Sequence, residues 1–394
     1  MAGVTIRDLR KSFGSVEIPA IPVPAGDEQA TQAAFGRILL DLAKSGHPLA
    51  DRIVTTSPDV TVSTNLGAWV NQRGLFSRRE MADVFAQAKI ASAQKWSASN
   101  QGQHIELGIA ESNLFLMLAA AGLAGDLFGQ RLFPIGTLYD PFIARGLDSL
   151  NYACYQDARF LLVATPSGIT LGPEGGAHQS INPPLIALGQ PGLRHYEPAF
   201  ADELALMMRE ALRLIDDPAG ESTYLRLSTR SIQQVERAND SWQADALAGG
   251  YWLREPAPNA EAAIVAMGAV MPEALAAHDE LSGDIPGLGL LAVTSPDLLH
   301  RDWSAAQAGR WAGERKPSHI EALLSMLAFG AGLVTLADAA PASLSWLGGV
   351  LGQRVAPLGV DRFGQTGSLP DLYAAYRVDG EAITEAIAEV LLTA

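Results

Sequence analysis

The chain has 394 residues, 18% of them charged and 48% hydrophobic. That balance is too apolar for a disordered polypeptide, and the length allows two or three domains at ~150 residues each. Lys plus Arg total 28 against 43 Asp plus Glu, a formal charge of −15, which argues against a nucleic-acid partner because phosphate neutralisation needs clustered cations. The single cysteine, Cys154, excludes an internal disulfide framework and fits a reducing compartment.

Residues 1–30, rich in Pro, Gly and Val, read as an extended N-terminal arm, and the opening MAGVTIRDLRKSFGSVEIP holds no signal-peptide core. Thr31 is placed to cap a helix with Phe35, Ile38, Leu39 and Leu42 on one face, ended by Gly46. Strand-like runs then alternate with helical ones: Asp59–Val62, a helix over Leu114–Ala121, Phe160–Thr165, a helix over Glu203–Ile215, and Tyr224–Ser228. Such alternation implies a parallel sheet covered on both faces, here over residues 31–235. A polar stretch, 236–250, ending in Gly249-Gly250, reads as a linker. A second series follows over 251–394: strands at Ala263–Met267, Gly289–Thr294, Leu333–Ala337 and Val355–Val360, with helices from Pro272, Ile320 and Glu381. The fold expected is α/β, two tandem domains with mainly parallel sheets. The longest apolar runs, Leu114–Gly125 and Ala322–Ala337, fall short of the ~20 residues of a membrane span. A cytoplasmic location with no membrane partner is therefore expected.

Generic chemical motifs are missing. There is no G-x-x-x-x-G-K-[ST] loop, no G-x-G-x-x-G after a strand, no H-E-x-x-H and no G-x-S-x-G. With one cysteine and scattered histidines, no metal site is expected on this chain.

Three segments could carry chemistry. GQHIELGIAESNLFLMLAAAGLAG places Glu111 at the start of an apolar helix, where a carboxylate is costly unless partnered or protonated. Free backbone N–H groups of the first turn would also satisfy it, and both readings stand. Tyr139 and Phe142, three apart after a strand, could form a flat wall for a ring or belong to the core. The loop TPSGITLGPEGGAHQSINPP, at the carboxyl edge of a parallel sheet, holds Glu174 and His178. Histidine suits proton transfer near neutrality, although a surface histidine with no role also fits. His104, His300 and Asp59 remain open as further site residues.

Taken in order, these segments resemble the pyrimidine-binding and C-terminal domains of transketolase-like thiamine diphosphate enzymes, above all the homodimeric E1 component of pyruvate dehydrogenase. G-I-A-E at Gly108–Glu111 is similar to that family's catalytic glutamate segment, and E-G-G-A-H at Glu174–His178 to its histidine loop. D-R-F-G-Q-T at Asp361–Thr366 is similar to its C-terminal D-x-F-G-x-[ST] turn. The resemblance implies that Glu111 bonds the aminopyrimidine ring nitrogen, with Phe142 and Tyr139 flanking the ring. It implies that His178 manages protons on the reacting carbon and that Glu174 helps to orient the substrate. From its place after a strand at the domain edge, Asp59 is expected to reach the cofactor.

Thiamine diphosphate also needs Mg2+ at its diphosphate, held in this family by a domain with a G-D-G motif. No G-D-G occurs here. The resemblance therefore implies an α-type partner chain that binds the diphosphate and its Mg2+, in an α2β2 or dimeric core with this chain as β. For the substrate, Pro166 stands where sugar-phosphate enzymes place a donor, whereas Ser63 and Arg230 sit roughly where transketolases grip the sugar phosphate. Overall likeness favours a 2-oxo acid such as pyruvate, with the acyl group passed to a lipoyl acyltransferase or another acceptor. Sugar-phosphate ketol transfer or carboligation by a split-transketolase subunit is the alternative. A non-catalytic interaction subunit ranks behind both.

Overall fold

The computed structural model describes residues 16–79, 87–88 and 96–392. Residues 1–15 of the expected arm, and with them most of the opening read for a signal peptide, lie outside the described residues.

The first sheet has eight parallel strands in the order Ala98–Ser99, Leu75–Phe76, His104–Glu106, Ile53–Ser57, Phe133–Leu138, Leu161–Ala164, Ser222–Arg226 and Leu193–Tyr196. Its central strands, Phe133–Leu138 and Leu161–Ala164, are buried at every position. This is why they read as continuous apolar runs rather than as alternating ones. Leu161 and Val163 face a core built with Phe35, Ile38 and Leu39 of the Thr31–Lys44 helix and Leu204, Met207 and Met208 of the Ala201–Asp216 helix. Leu162 and Ala164 face the opposite core, with Leu114, Phe115 and Leu118 of the Glu111–Gly122 helix and Leu150 and Cys154 of the Leu147–Tyr155 helix. Each such large side chain contributes ~1.5–3 kcal/mol on full burial, so both helical layers are fixed to the sheet by many independent contacts.

The second sheet runs in the order Gly250–Arg254, Gly289–Val293, Ala260–Met267, Leu327–Ala337 and Arg354–Leu358. Its first strand is antiparallel and the others are parallel. Both sheets are thus mainly parallel, as expected. No helix among the described residues is long and apolar enough to cross a membrane.

Three local expectations change. The first long strand is Ile53–Ser57, not Asp59–Val62. Pro58 follows it, and Asp59 adopts a positive φ of 65° that turns the chain out of the sheet. Thr31 begins its helix, but its hydroxyl does not cap it; it accepts from the Ser228 backbone N–H at 2.9 Å and ties the helix to the far end of the sheet. Within the 236–250 stretch read as a linker, Trp242–Ala248 is helical, and Ala246 is buried against the second sheet's core. Just before it, Ile232–Gln233 pairs antiparallel with Glu28–Gln29 of the arm.

Candidate active site

Because the strands of the first sheet are parallel, Ser57, Glu106, Leu138 and Ala164 all end at one edge. Open α/β sheets bind ligands at such an edge. Four loops leave it and carry Asp59, Glu111, the Tyr139–Phe142 pair and the histidine loop.

Glu111 is the first residue of its helix and is buried, at 8% exposure. Among the described residues, no first-turn N–H group donates to its carboxylate. Its Oε1 accepts a 2.5 Å charge-assisted bond from Nη1 of Arg145. The Arg145 guanidinium lies over the Phe142 ring, with its central carbon 3.8 Å from the centroid. Phe142 is parallel to Tyr139, at 6.1 Å between centroids and an interplanar angle of 2°. His178 meets both rings edge-on, 5.7 Å from Phe142 and 6.0 Å from Tyr139. Its Nδ1 is buried without a hydrogen-bond partner among the described residues. A carboxylate, two coplanar aromatic faces and an imidazole with an unused nitrogen are thus brought together from three separate loops.

Asp140 holds this arrangement in place. It sits between Tyr139 and Phe142 and is fully buried. The Tyr224 hydroxyl donates to its Oδ1, and Arg226 Nε (2.8 Å) and the Ser180 hydroxyl donate to its Oδ2. Ser180, two residues after His178, also accepts from the Gly168 N–H at 2.8 Å. The aromatic pair and the histidine loop are therefore anchored on one carboxylate. Arg226 reaches further, to Glu197 Oε1 at 2.7 Å and to the Asp338 carbonyl at 2.8 Å in the second sheet's loop. Burial lifts Glu197 to about 7 and Asp338 to about 6 despite the cation. The buried His195 ring, stacked on Tyr224 at 4.7 Å, is pushed down to about 3 by burial and then by Arg226.

The second half closes over the histidine loop. Gln179 Nε2 donates to the Gln365 carbonyl at 2.9 Å, inside the D-R-F-G-Q-T turn. A Cβ on Gly176 would overlap the Gly364 carbonyl, so glycine is needed there for close backbone approach. A cleft of about 690 Å³ opens between these segments, lined by Pro141, Ser180, Asn182, Phe363 and Gly364 among others.

Other expected site residues stand apart from the Glu111 cluster. Glu174 is exposed at the end of the Gly168–Glu174 turn, and no hydrogen bond joins it to the cluster. Asp59 is exposed, and only its backbone N–H is engaged, with Glu106 Oε1 at 2.8 Å. Ser63 is exposed and its hydroxyl donates to the Val60 carbonyl at 3.2 Å. Arg230 is engaged with the second half. Its guanidinium pairs with both Glu273 oxygens at 2.7 Å and donates to the Ala269 carbonyl at 2.9 Å. It bridges the two halves. His104 is fully buried and bonded to Thr55 and Thr61, and His300 packs between Trp303 and Trp346.

Arg145, Asp140 and Glu106 escaped the sequence reading. Burial alone would raise Glu106, but bonds from His104, Thr61 and the Asp59 and Gly108 N–H groups outweigh it and hold it at about 2. It is a fixed anion that orders the loop leading to Glu111. Its position two residues after His104 in one short strand was the available signal. Among the described residues, no group of three or more His, Cys, Asp or Glu could hold a metal ion.

Residues 13–230 match the family described as the pyruvate dehydrogenase E1 component middle domain. The chain belongs to this family. The pyruvate dehydrogenase E1 component of Mycolicibacterium smegmatis is 28% identical over 400 residues, covering 98% of this chain and 41% of the relative. The chain therefore spans about two-fifths of the length of such E1 relatives. A 6-deoxy-6-sulfo-D-fructose transketolase subunit of Clostridium sp. is 28% identical over 214 residues, 54% of this chain and 60% of that subunit. Among solved structures, a Campylobacter jejuni transketolase superposes with a TM-score of 0.71 at 17% identity, covering 95% of this chain and 49% of its own. A split-gene transketolase, an inactive β4 tetramer, superposes at 0.62 with 18% identity, covering 92% of this chain and 98% of that one. These structural likenesses carry the transketolase-like fold, and E1 family membership agrees with the resemblance read from the ordered motifs.

Proposed function

We propose that this E1-family chain is the β-type subunit of a thiamine diphosphate-dependent 2-oxo acid dehydrogenase, completing its active site with an α-type partner that holds the Mg-diphosphate. One observation carries the reading: Glu111, Phe142, Tyr139 and His178, far apart in sequence, converge at the carboxyl edge of one parallel sheet. The donor set fits the group, since Glu111 already bonds a planar nitrogen cation that stacks on Phe142. An aminopyrimidine needs the same two contacts.

When bound, thiamine diphosphate supplies the carbanion chemistry that a protein side chain cannot. The work of this chain is to position and to move protons. Glu111, shielded from water, would hydrogen-bond the pyrimidine ring nitrogen and favour its imino tautomer. Phe142 and Tyr139 would hold the ring's plane. His178, with Nδ1 unpaired among the described residues, would hold or deliver a proton at the substrate carbon. Asp140, through Ser180 and Arg226, would keep the aromatic wall and His178 in register. Glu174 and Asp59, exposed and apart from the Glu111 cluster in the single chain, would contact substrate or cofactor only in the assembled enzyme.

The partner assignment rests on the family's need for a Mg-diphosphate site, whose G-D-G motif does not occur in residues 1–394. It gains support from the split-gene transketolase, 98% of whose chain is covered. An α2β2 core, a cytoplasmic location and a lipoyl acyltransferase as acceptor complete the proposal. The second reading, a split transketolase subunit, is favoured by the Clostridium relative, but the closed Arg230–Glu273 pair weakens a phosphate grip. The test is to reconstitute the chain with a G-D-G partner and supply both substrate classes. Pyruvate decarboxylation coupled to reductive acylation supports the proposal, and turnover only of xylulose 5-phosphate with an aldose phosphate overturns it.

A further inference from the structure

We propose that Arg145 is a resident plug of the pyrimidine slot, a guanidinium that must leave the Glu111 carboxylate and the Phe142 face before an aminopyrimidine can take them. The inference rests on the proposed cofactor reading and adds a gate to it. A guanidinium is a flat cation with N–H donors in its plane. Arg145 uses those properties here, giving Nη1 to Glu111 Oε1 at 2.5 Å and its flat face to Phe142 at 3.8 Å. The ring nitrogen and π-face of an aminopyrimidine need the same oxygen and the same aromatic surface, so the two compete.

The moving part is the side chain alone. The Arg145 carbonyl accepts from the Ser112 hydroxyl at 2.9 Å, tying the backbone to the Glu111 helix. At the next residue, a Cβ on Gly146 would overlap the Phe115 ring, so the backbone there is packed tightly against the core. The Arg145 side chain, by contrast, is 50% exposed while its partner Glu111 is 9% exposed. A long, half-exposed side chain on a fixed backbone can swing to solvent without disturbing Glu111, Phe142 or His178. While seated, it neutralises a carboxylate buried at the start of an apolar helix, which would otherwise be left unpaired.

A plug lowers apparent affinity by the fraction of molecules that are open. If about one molecule in ten is open, binding weakens about tenfold relative to an unplugged slot. The experiment is a calorimetric titration of the full chain with thiamine, which lacks the diphosphate and so reports on the pyrimidine slot without the partner's site. Wild type, Arg145→Ala and Arg145→Met are compared, with Phe142→Ala as the slot control and circular dichroism confirming that each variant is folded. Tighter binding by about tenfold in either Arg145 variant, with binding lost in Phe142→Ala, is the expected result. Equal or weaker binding in both Arg145 variants, with Phe142→Ala still losing it, overturns the plug while leaving the cofactor reading intact. Absence of binding by wild type and Arg145 variants alike at millimolar thiamine, or binding that Phe142→Ala leaves unchanged, overturns the pyrimidine slot itself and the plug with it.

Discussion

Replacing Arg226 with Met removes the cation around which both halves of the site are built. Arg226 is 1% exposed and donates to Asp140, Glu197, Ser180 and the Asp338 carbonyl. Methionine fills much of the volume but leaves the Asp140, Glu197 and Asp338 carboxyl groups buried without that countercharge. Removing one partner of a buried pair costs ~3–5 kcal/mol, a large share of the ~5–15 kcal/mol that holds a typical fold. At roughly 2–4 °C per kcal/mol for a large domain, the melting temperature should fall by about 10 °C. The deficit depends on pH. Burial already lifts Glu197 from 4.5 to about 7 and Asp338 from 3.8 to about 6. A carboxyl raised in the folded state stabilises the fold below its unfolded value, and that contribution is lost as pH rises through the folded value. The contribution of these two carboxyls to wild-type stability should therefore decline from about pH 4 to pH 7. Without Arg226 both groups rise further, so the variant's deficit should be larger at pH 8 than at pH 6. Thermal melts of both proteins at the two pH values measure this. A deficit below about 1 kcal/mol at pH 8, or one that shrinks as pH rises, would refute the reasoning.

Gly176→Ala should push the D-R-F-G-Q-T turn off the histidine loop, because the new methyl meets the Gly364 carbonyl. A loss of ~1–3 kcal/mol in urea denaturation is expected, together with a raised KM for the assembled enzyme. Arg230→Gln, which opens the Glu273 pair between the halves, should lower the melting temperature while leaving KM for any phosphorylated substrate within twofold. A selective rise in that KM would restore Arg230 to the substrate site. Cys154 is buried and its thiol is pushed up to about 12 by burial and then by Glu221. It should resist an aromatic disulfide reagent at pH 8 until urea unfolds the chain, and rapid labelling of the native protein would contradict its place in the core.

The sequence made legible what local order controls. The strand-like run Phe160–Thr165 and the strand before Tyr139 marked the centre of the first sheet, and the motif order Glu111, Tyr139–Phe142, Glu174–His178 and Asp361–Thr366 marked the loops, because each lies beside a strand end or a helix start. Long-range pairings were not legible. Asp140 and Arg226 are 86 residues apart, and Arg226 reaches 112 residues to Asp338. Neither residue has a local pattern that announces a partner. Arg145 was overlooked for a related reason: nothing near it in the Asp140–Gly146 turn announces a partner, and Glu111, which the fold brings beneath it, lies 34 residues away in sequence. The partner of Arg230 was equally hidden: resemblance placed the residue near a phosphate, and Glu273, 43 residues on, engages both arms of its guanidinium. The first strand slipped by a few residues because Val60 and Val62 imitate alternation, while Pro58 and the left-handed Asp59 end the strand at Ser57.

The central claim is that the Glu111 carboxyl activates the pyrimidine of a bound thiamine cofactor. Exchange of the thiazolium C2 proton, followed by quenched-flow NMR in the complex reconstituted with a G-D-G partner, reads that activation before any substrate is involved. Glu111→Ala should slow the exchange by at least ~100-fold at equal cofactor occupancy. Exchange within twofold of wild type would contradict the account.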